Sequence, residues 1–171
     1  MGDGLWGMGD EGWVKSKKRA RGRSASRPAP PDSPVCELCS QAGGELLWRD
    51  EQCRVVLIND PDYAGYCRVI WHDHVREMTD LDASAQDHCM RVVFAVEQAL
   101  RRVLKPYKIN LASFGNMTPH VHWHVIPRGV DDAHFPDSVW GKRRRATLRQ
   151  AAAHPAIEVR QRLAAELLNL L

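Results

Sequence analysis

The chain has 171 residues with a formal net charge of +3, 44% hydrophobic and 26% charged, enough for one domain with its own core. All of the excess charge sits in residues 1–34, where seven Lys/Arg meet four acids; residues 35–171 hold 17 of each, so the body carries no net charge that would argue for polyanion binding. No apolar run approaches the ~18 residues of a bilayer span, no apolar signal core opens the chain, and five Cys make an odd set for a disulfide framework; the expectation is a cytoplasmic protein with no membrane partner.

Residues 1–34 combine scattered Gly, a basic run from Lys15 to Arg27, and Pro28, Pro30, Pro31 and Pro34. Such a composition cannot bury enough apolar area to fold and predicts a disordered tail. It is the one segment with a case for touching nucleic acid. Cys36-Glu37-Leu38-Cys39, followed by Gly43-Gly44, looks like half of a zinc site. No second C-x-x-C follows, so the other two ligands would be His. Cys53, Cys67 and Cys89 are singletons.

Glu45–Arg49, Cys53–Ile58 and Tyr66–Trp71 read as three strands, with a turn at Asp50-Glu51 and a loop over Asn59–Gly65. Links this short predict antiparallel neighbours. His72 and His74 follow the third strand. Thr79-Asp80-Leu81-Asp82 has the form of a capping box, and the helix it opens is expected to run to Lys105, ahead of Pro106. Cys89, Val92, Val93, Val96, Leu100 and Val103 give that helix one buried stripe; His88 is expected to be solvated. Lys108–Phe114 is a fourth strand and Gly115–Pro119 a turn. Residues 129–142 are irregular. Residues 143–171 form a helical extension, interrupted near His154-Pro155, with Arg143-Arg144-Arg145 as a solvated helix start. Its stripe is Leu163, Ala164, Leu167, Leu168 and Leu171.

The fifth strand is the distinctive stretch: Pro119-His120-Val121-His122-Trp123-His124-Val125-Ile126-Pro127-Arg128. On a strand, alternate side chains share a face. His120, His122 and His124 then lie together, with Val121, Trp123 and Val125 turned to the core. Three imidazoles on one short face are costly unless something uses them.

His120-x-His122-x-His124 followed by Val125-Ile126 resembles the signature of the histidine triad superfamily, nucleotide hydrolases and transferases. The resemblance covers Cys36 to Trp140 and implies an α+β fold: a five-stranded, mostly antiparallel sheet with a long helix and a helical C-terminus. Residues 1–34 are then a tail, 35–142 the domain, and 143–171 an extension packed on it. By the same resemblance His122 is the nucleophile that forms a covalent nucleotidyl intermediate, with His124 donating to the α-phosphate and His120 completing the catalytic triad. Asn110 and Asn116 correspond to phosphate-facing positions and Asn59 to a ribose contact, with Leu57 and Ile58 near the base. Members with an N-terminal C-x-x-C imply a structural zinc on Cys36, Cys39, His74 and His120, with His72 a rival to His74, and no organic cofactor. Two departures stand out: Tyr66 occupies the place of a fourth His, and Met117 that of a Ser or Thr near the leaving group. The implied activity is hydrolysis at the α-phosphate of dinucleoside polyphosphates or nucleoside phosphoramidates, in a homodimer. The alternatives are nucleotidyl transfer as in galactose-1-phosphate uridylyltransferases, whose motif typically has Gln where His124 stands, or a nucleotide-binding regulatory module.

Overall fold

The computed structural model describes residues 36–146 and 156–171; the tail at 1–34 and the interruption at His154-Pro155 lie outside the described residues. In chain order the elements are a one-turn helix α1 (Glu37–Ser40), strands β1 (Glu45–Arg49), β2 (Cys53–Leu57) and β3 (Cys67–Trp71), a 3₁₀ turn (Met78–Asp80), helix α2 (Ala83–Leu104), strands β4 (Lys108–Ala112) and β5 (His122–Arg128), and helix α3 (Ala156–Leu170). All strand pairs are antiparallel, in the order β1-β2-β3-β5-β4. The fold is α+β, as the element order implied.

The register sorts the side chains. Cys53, Val55, Cys67, Val69, Trp71 and Val125 share the face that packs on α2 and α3 and are buried to within 5%. Arg54, Val56, Arg68, Ile70, His122 and His124 share the other face. α2 contributes Cys89, Val92, Val93, Val96, Leu100 and Val103 to the core, with Ala85, Ala95 and Ala99 between them. Ala at these contacts lets the helix lie close to the sheet. α1 is anchored by Leu38, which packs with Val56 and Ile70. Gly43 follows it at φ +80°, where an added Cβ would also lie 2.8 Å from Ile70 Cδ1.

Several expectations are corrected. α2 begins four residues after Thr79, because the Asp82 carboxylate accepts the Ala85 N–H at 2.9 Å and takes the capping role, while Met78–Asp80 winds into the 3₁₀ turn. Its last turn ends on Lys105 in the left-handed region, just before Pro106. His88 is not solvated: its Nε2 lies 2.6 Å from Asp50 Oδ2 and ties α2 to the β1–β2 turn. β5 starts at His122, so His120 precedes the strand. Arg143–Arg145 do not start a helix. Arg144 pairs with Asp137 at 2.5 Å, Arg145 donates to the Val130 and Phe135 carbonyls, and Arg143 pairs with Asp62, so the run clasps the 129–137 loop. On α3, Leu163 and Leu167 are buried, but Leu168 and Leu171 face out, and Leu170 completes the stripe. A 3.6-residue period puts 163, 167 and 170 on one face and rotates 168 off it.

Candidate active site and metal centre

His120 is where two sites meet. Its Nε2–H donates to the Trp71 carbonyl at 2.7 Å, which turns Nδ1 towards two thiols, 3.5 Å from Cys36 Sγ and 3.4 Å from Cys39 Sγ. His74 Nδ1 approaches Cys39 Sγ at 3.3 Å. All four donor atoms lie within 4.8 Å of one another. A tetrahedral ion with metal–sulfur bonds of ~2.3 Å and metal–nitrogen bonds of ~2.0–2.1 Å has donor–donor edges of ~3.3–3.8 Å, so the S···N spacings fit such an ion. Burial and the neighbouring Cys36 push the Cys39 thiol up to about 11; two adjacent thiols resist ionising together unless a cation joins them. His72 is not part of the cluster, since its Nε2 lies 3.1 Å from the Asp50 carbonyl on the far side of the strand end. A second group, Asp50, Cys53 and His88, also lies within reach of one ion, but its carboxylate is already committed to His88 and to the Gln52 and Cys53 amides.

His122 and His124 follow on β5, opposite Ile70 and Arg68 of β3. His122 Nδ1 lies 2.6 Å from the His120 carbonyl. A carbonyl only accepts, so Nδ1 carries the proton and Nε2 the lone pair. Burial pushes the His122 pKa down, with the Arg68 charge adding to it and the His120 carbonyl opposing it. The ring is therefore a neutral base with a fixed tautomer. Ser113, next after β4, donates its hydroxyl to the His122 carbonyl at 2.9 Å and steadies the strand there. The His124 ring stands 4.9 Å from that of His122, and its Nδ1 meets the Tyr66 hydroxyl at 2.5 Å. Burial, then the neighbouring His122 and Arg68, push His124 down to about 3.

The remaining expected residues lie as follows. Asn110 lies opposite Ile126, two pairs along from the Ala112–His124 pair, and its Oδ1 accepts from Arg128 at 2.6 Å. Arg128 is 3% exposed and also binds Asp132 and the Asp137 carbonyl. Asn59 is exposed just past β2, and Asn116 lines a cleft with residues 76–79 and 113–115 beside His120. Met117 is 97% exposed. Around His124 itself stand Tyr66, Phe114 and Trp140. The Phe114 ring lies 6.3 Å and the Trp140 ring 5.2 Å from His124, and 4.7 Å from each other. Trp140 arrives on the 129–146 segment, which Arg128, Asp132, Tyr63 and His134 hold together. No local sequence signal marks Trp140.

A folded-state pKa below the unfolded ~6.5 means that His124 adds stability fully present above pH 6.5 and lost as pH falls towards about 3. Its share of the slope is ~1.4 kcal/mol per pH unit in that window. Urea melts between pH 7 and 4 should be shallower in pH for His124→Asn than for wild type by about this amount; equal slopes would mean that the ring is not held neutral.

A family model for the HIT domain matches residues 40–130. The AP-4-A phosphorylase of Mycobacterium tuberculosis is 27% identical over 126 residues, 70% of this chain. The chain spans about 64% of the length of these curated relatives. Among solved structures, a histidine triad protein of Bradyrhizobium japonicum is 28% identical, with 75% of this chain and 90% of that one covered at a TM-score of 0.59. One from Marinobacter aquaeolei VT8 is 24% identical, covering 81% and 98% at 0.64. A Zn-bound histidine triad family protein of Mycobacterium smegmatis is 23% identical, covering 80% and 95% at 0.56; the last two likenesses speak for the fold. With the family model spanning more than half of the chain and the His120-x-His122-x-His124 motif leading into β5, the chain belongs to the HIT domain family.

Proposed function

We propose that the protein is a nucleotide hydrolase that cleaves at the α-phosphorus of dinucleoside polyphosphates or nucleoside phosphoramidates through a nucleotidyl–His122 intermediate. The observation that carries this reading is the bond from His122 Nδ1 to the His120 carbonyl, which leaves Nε2 as a neutral nucleophile. Its lone pair attacks the α-phosphorus; the P–N bond forms and the leaving group departs with its electron pair. Tyr66 donating to His124 Nδ1 leaves the His124 proton on Nε2, where it can donate to a phosphate oxygen as charge builds. Water then attacks the phosphorus, the P–N electrons return to Nε2, and a nucleoside monophosphate is released.

Cys36, Cys39, His74 and His120 would hold one structural zinc, which closes a tetrahedral site and contributes rigidity rather than chemistry. Tyr66 takes over the role of the fourth His. Removing its hydroxyl in Tyr66→Phe frees the His124 tautomer and is expected to lower kcat about tenfold, ~1.4 kcal/mol of barrier. Tyr66→His should keep most turnover. Steady-state kinetics on one polyphosphate substrate reads both; an unchanged Tyr66→Phe would remove Tyr66 from the mechanism.

Phosphorolysis is the second reading, favoured by the likeness to the AP-4-A phosphorylases. Orthophosphate then replaces water, and the product is a nucleoside diphosphate. The deciding experiment is intact-mass analysis within milliseconds of mixing with an adenylate donor, with and without phosphate. A transient gain of one adenylyl group is expected, and the product tells the acceptor. Nucleotide binding with neither adduct nor turnover would leave a regulatory binding module.

A further inference from the structure

Three arginines on β2, β3 and β5 stand on the sheet face that carries His122 and His124. The Arg54 guanidinium is spent on the carbonyls of Leu38, Gln41 and Ala42, which it clamps at 2.6–3.1 Å. Arg128 is spent on Asp132, Asn110 and the Asp137 carbonyl. Arg68 is different. It lies directly across from His124 on one side and Val56 on the other. Its Nε is buried without a hydrogen-bond partner, and it forms no ion pair among the described residues. The guanidinium sits 5.9 Å from the centroid of the Tyr66 ring, the ring whose hydroxyl holds His124.

A half-buried guanidinium without a counter-ion is costly to keep. Its neighbours on the face are Tyr66, Ile70, Val56 and His124; none is a carboxylate. The cost persists in the folded protein unless a ligand supplies the anion. Resting on the reading that this site takes a nucleotide, we propose that Arg68 is a phosphate-binding residue, its half-buried guanidinium pairing with an anionic oxygen of the substrate's α-phosphate beside His124. Guanidinium suits this task, because its donors form a rigid fork matched to phosphate oxygens. The imidazoles of His122 and His124 supply hydrogen bonds but no fixed charge, so Arg68 is what neutralises the phosphate as it leaves water. The oxygen belongs to the α-phosphate, the group that a nucleoside monophosphate also carries. A guanidinium on an aromatic ring can also lie under a nucleobase, but a base carries no charge to balance the cation.

The test is calorimetric binding of adenosine and of adenosine monophosphate to wild type, Arg68→Met and Arg68→Lys, none of which requires turnover. Arg68→Met should bind the monophosphate roughly 10–100-fold more weakly, the loss of one charged hydrogen-bonded contact, with adenosine unchanged and Arg68→Lys in between. Equal weakening of adenosine and monophosphate would place Arg68 under the base or ribose and overturn the proposal, as would an unchanged monophosphate affinity. The ligand-free Arg68→Met protein should melt no lower than wild type, since a buried uncompensated charge is gone; a marked drop would make Arg68 a structural cation and overturn the proposal as well. kcat/KM on a dinucleoside tetraphosphate and on an adenosine phosphoramidate then locates the contact. Equal losses support the α-phosphate contact, and a loss confined to the tetraphosphate would place Arg68 at the adjoining phosphoryl group and overturn it. An Arg68-dependent monophosphate affinity in a protein that turns nothing over would sink the hydrolase reading alone. Normal turnover with an Arg68-independent affinity would sink this inference alone.

Discussion

His122→Asn is expected to turn over substrate ~10⁴-fold or more slowly than wild type, the scale of losing a residue that forms the covalent bond, while still binding nucleoside monophosphate. The asymmetry follows from the geometry. His122 is 6% exposed and fixed through its Nδ1, so binding contacts from its neighbours survive its removal. Asn can keep a hydrogen bond to the His120 carbonyl but offers no nucleophilic nitrogen, so the fold should be retained. Single-turnover rates with a polyphosphate donor and a thermal melt check the two halves. A loss under tenfold in a folded variant would mean that water attacks the phosphorus directly, with His122 as a mere donor.

Disruption of the Cys36, Cys39, His74 and His120 cluster is the second large effect expected. α1 has four residues, far too few to hold itself. Leu38 packing and the Arg54 clamp fix its inner side, and an ion shared by Cys36, Cys39, His74 and His120 would fix its outer side. Purified protein should carry about one zinc per chain. Cys39→Ser should carry none and should lose ~3 kcal/mol, or roughly 10 °C in Tm. The loss extends to chemistry. A metal on His120 Nδ1 fixes the ring whose Nε2–H is bonded to Trp71, and the same residue's carbonyl sets the His122 tautomer. Turnover in Cys39→Ser is therefore expected to fall ~10–100-fold, whereas Cys89→Ala, buried in the core on α2, should keep its zinc. Metal analysis beside kinetics decides it, and wild-type protein free of metal yet fully active would refute the assignment.

Periodicity and a motif sufficed for much of this protein. The alternation of apolar and polar residues set the five strands, because strand side chains alternate faces wherever one face is buried. The apolar stripe and Pro106 bounded α2 closely. His-x-His-x-His with C-x-x-C, read through the family resemblance, pointed to both clusters, since ligand spacing is a local property of the chain. What remained hidden depends on contacts distant in sequence. That His74 rather than His72 turns to Cys39, that Tyr66 meets His124 58 residues away, and that Asn110 is taken up by Arg128 are matters of register and of which partner gets there first. The Thr79 capping box failed for a related reason: Asp82 was the better placed acceptor once the chain had turned. Trp140 reaches His124 because Arg128 and the Arg143–Arg145 run fold the 129–146 segment back over the sheet. Local sequence could thus determine the strand of His122 and His124 and the donor set. Only the tertiary structure decided which neighbours hold each imidazole and which arginine is left without an anion, because hydrogen bonds and counter-charges are satisfied by whatever the fold brings within ~3 Å.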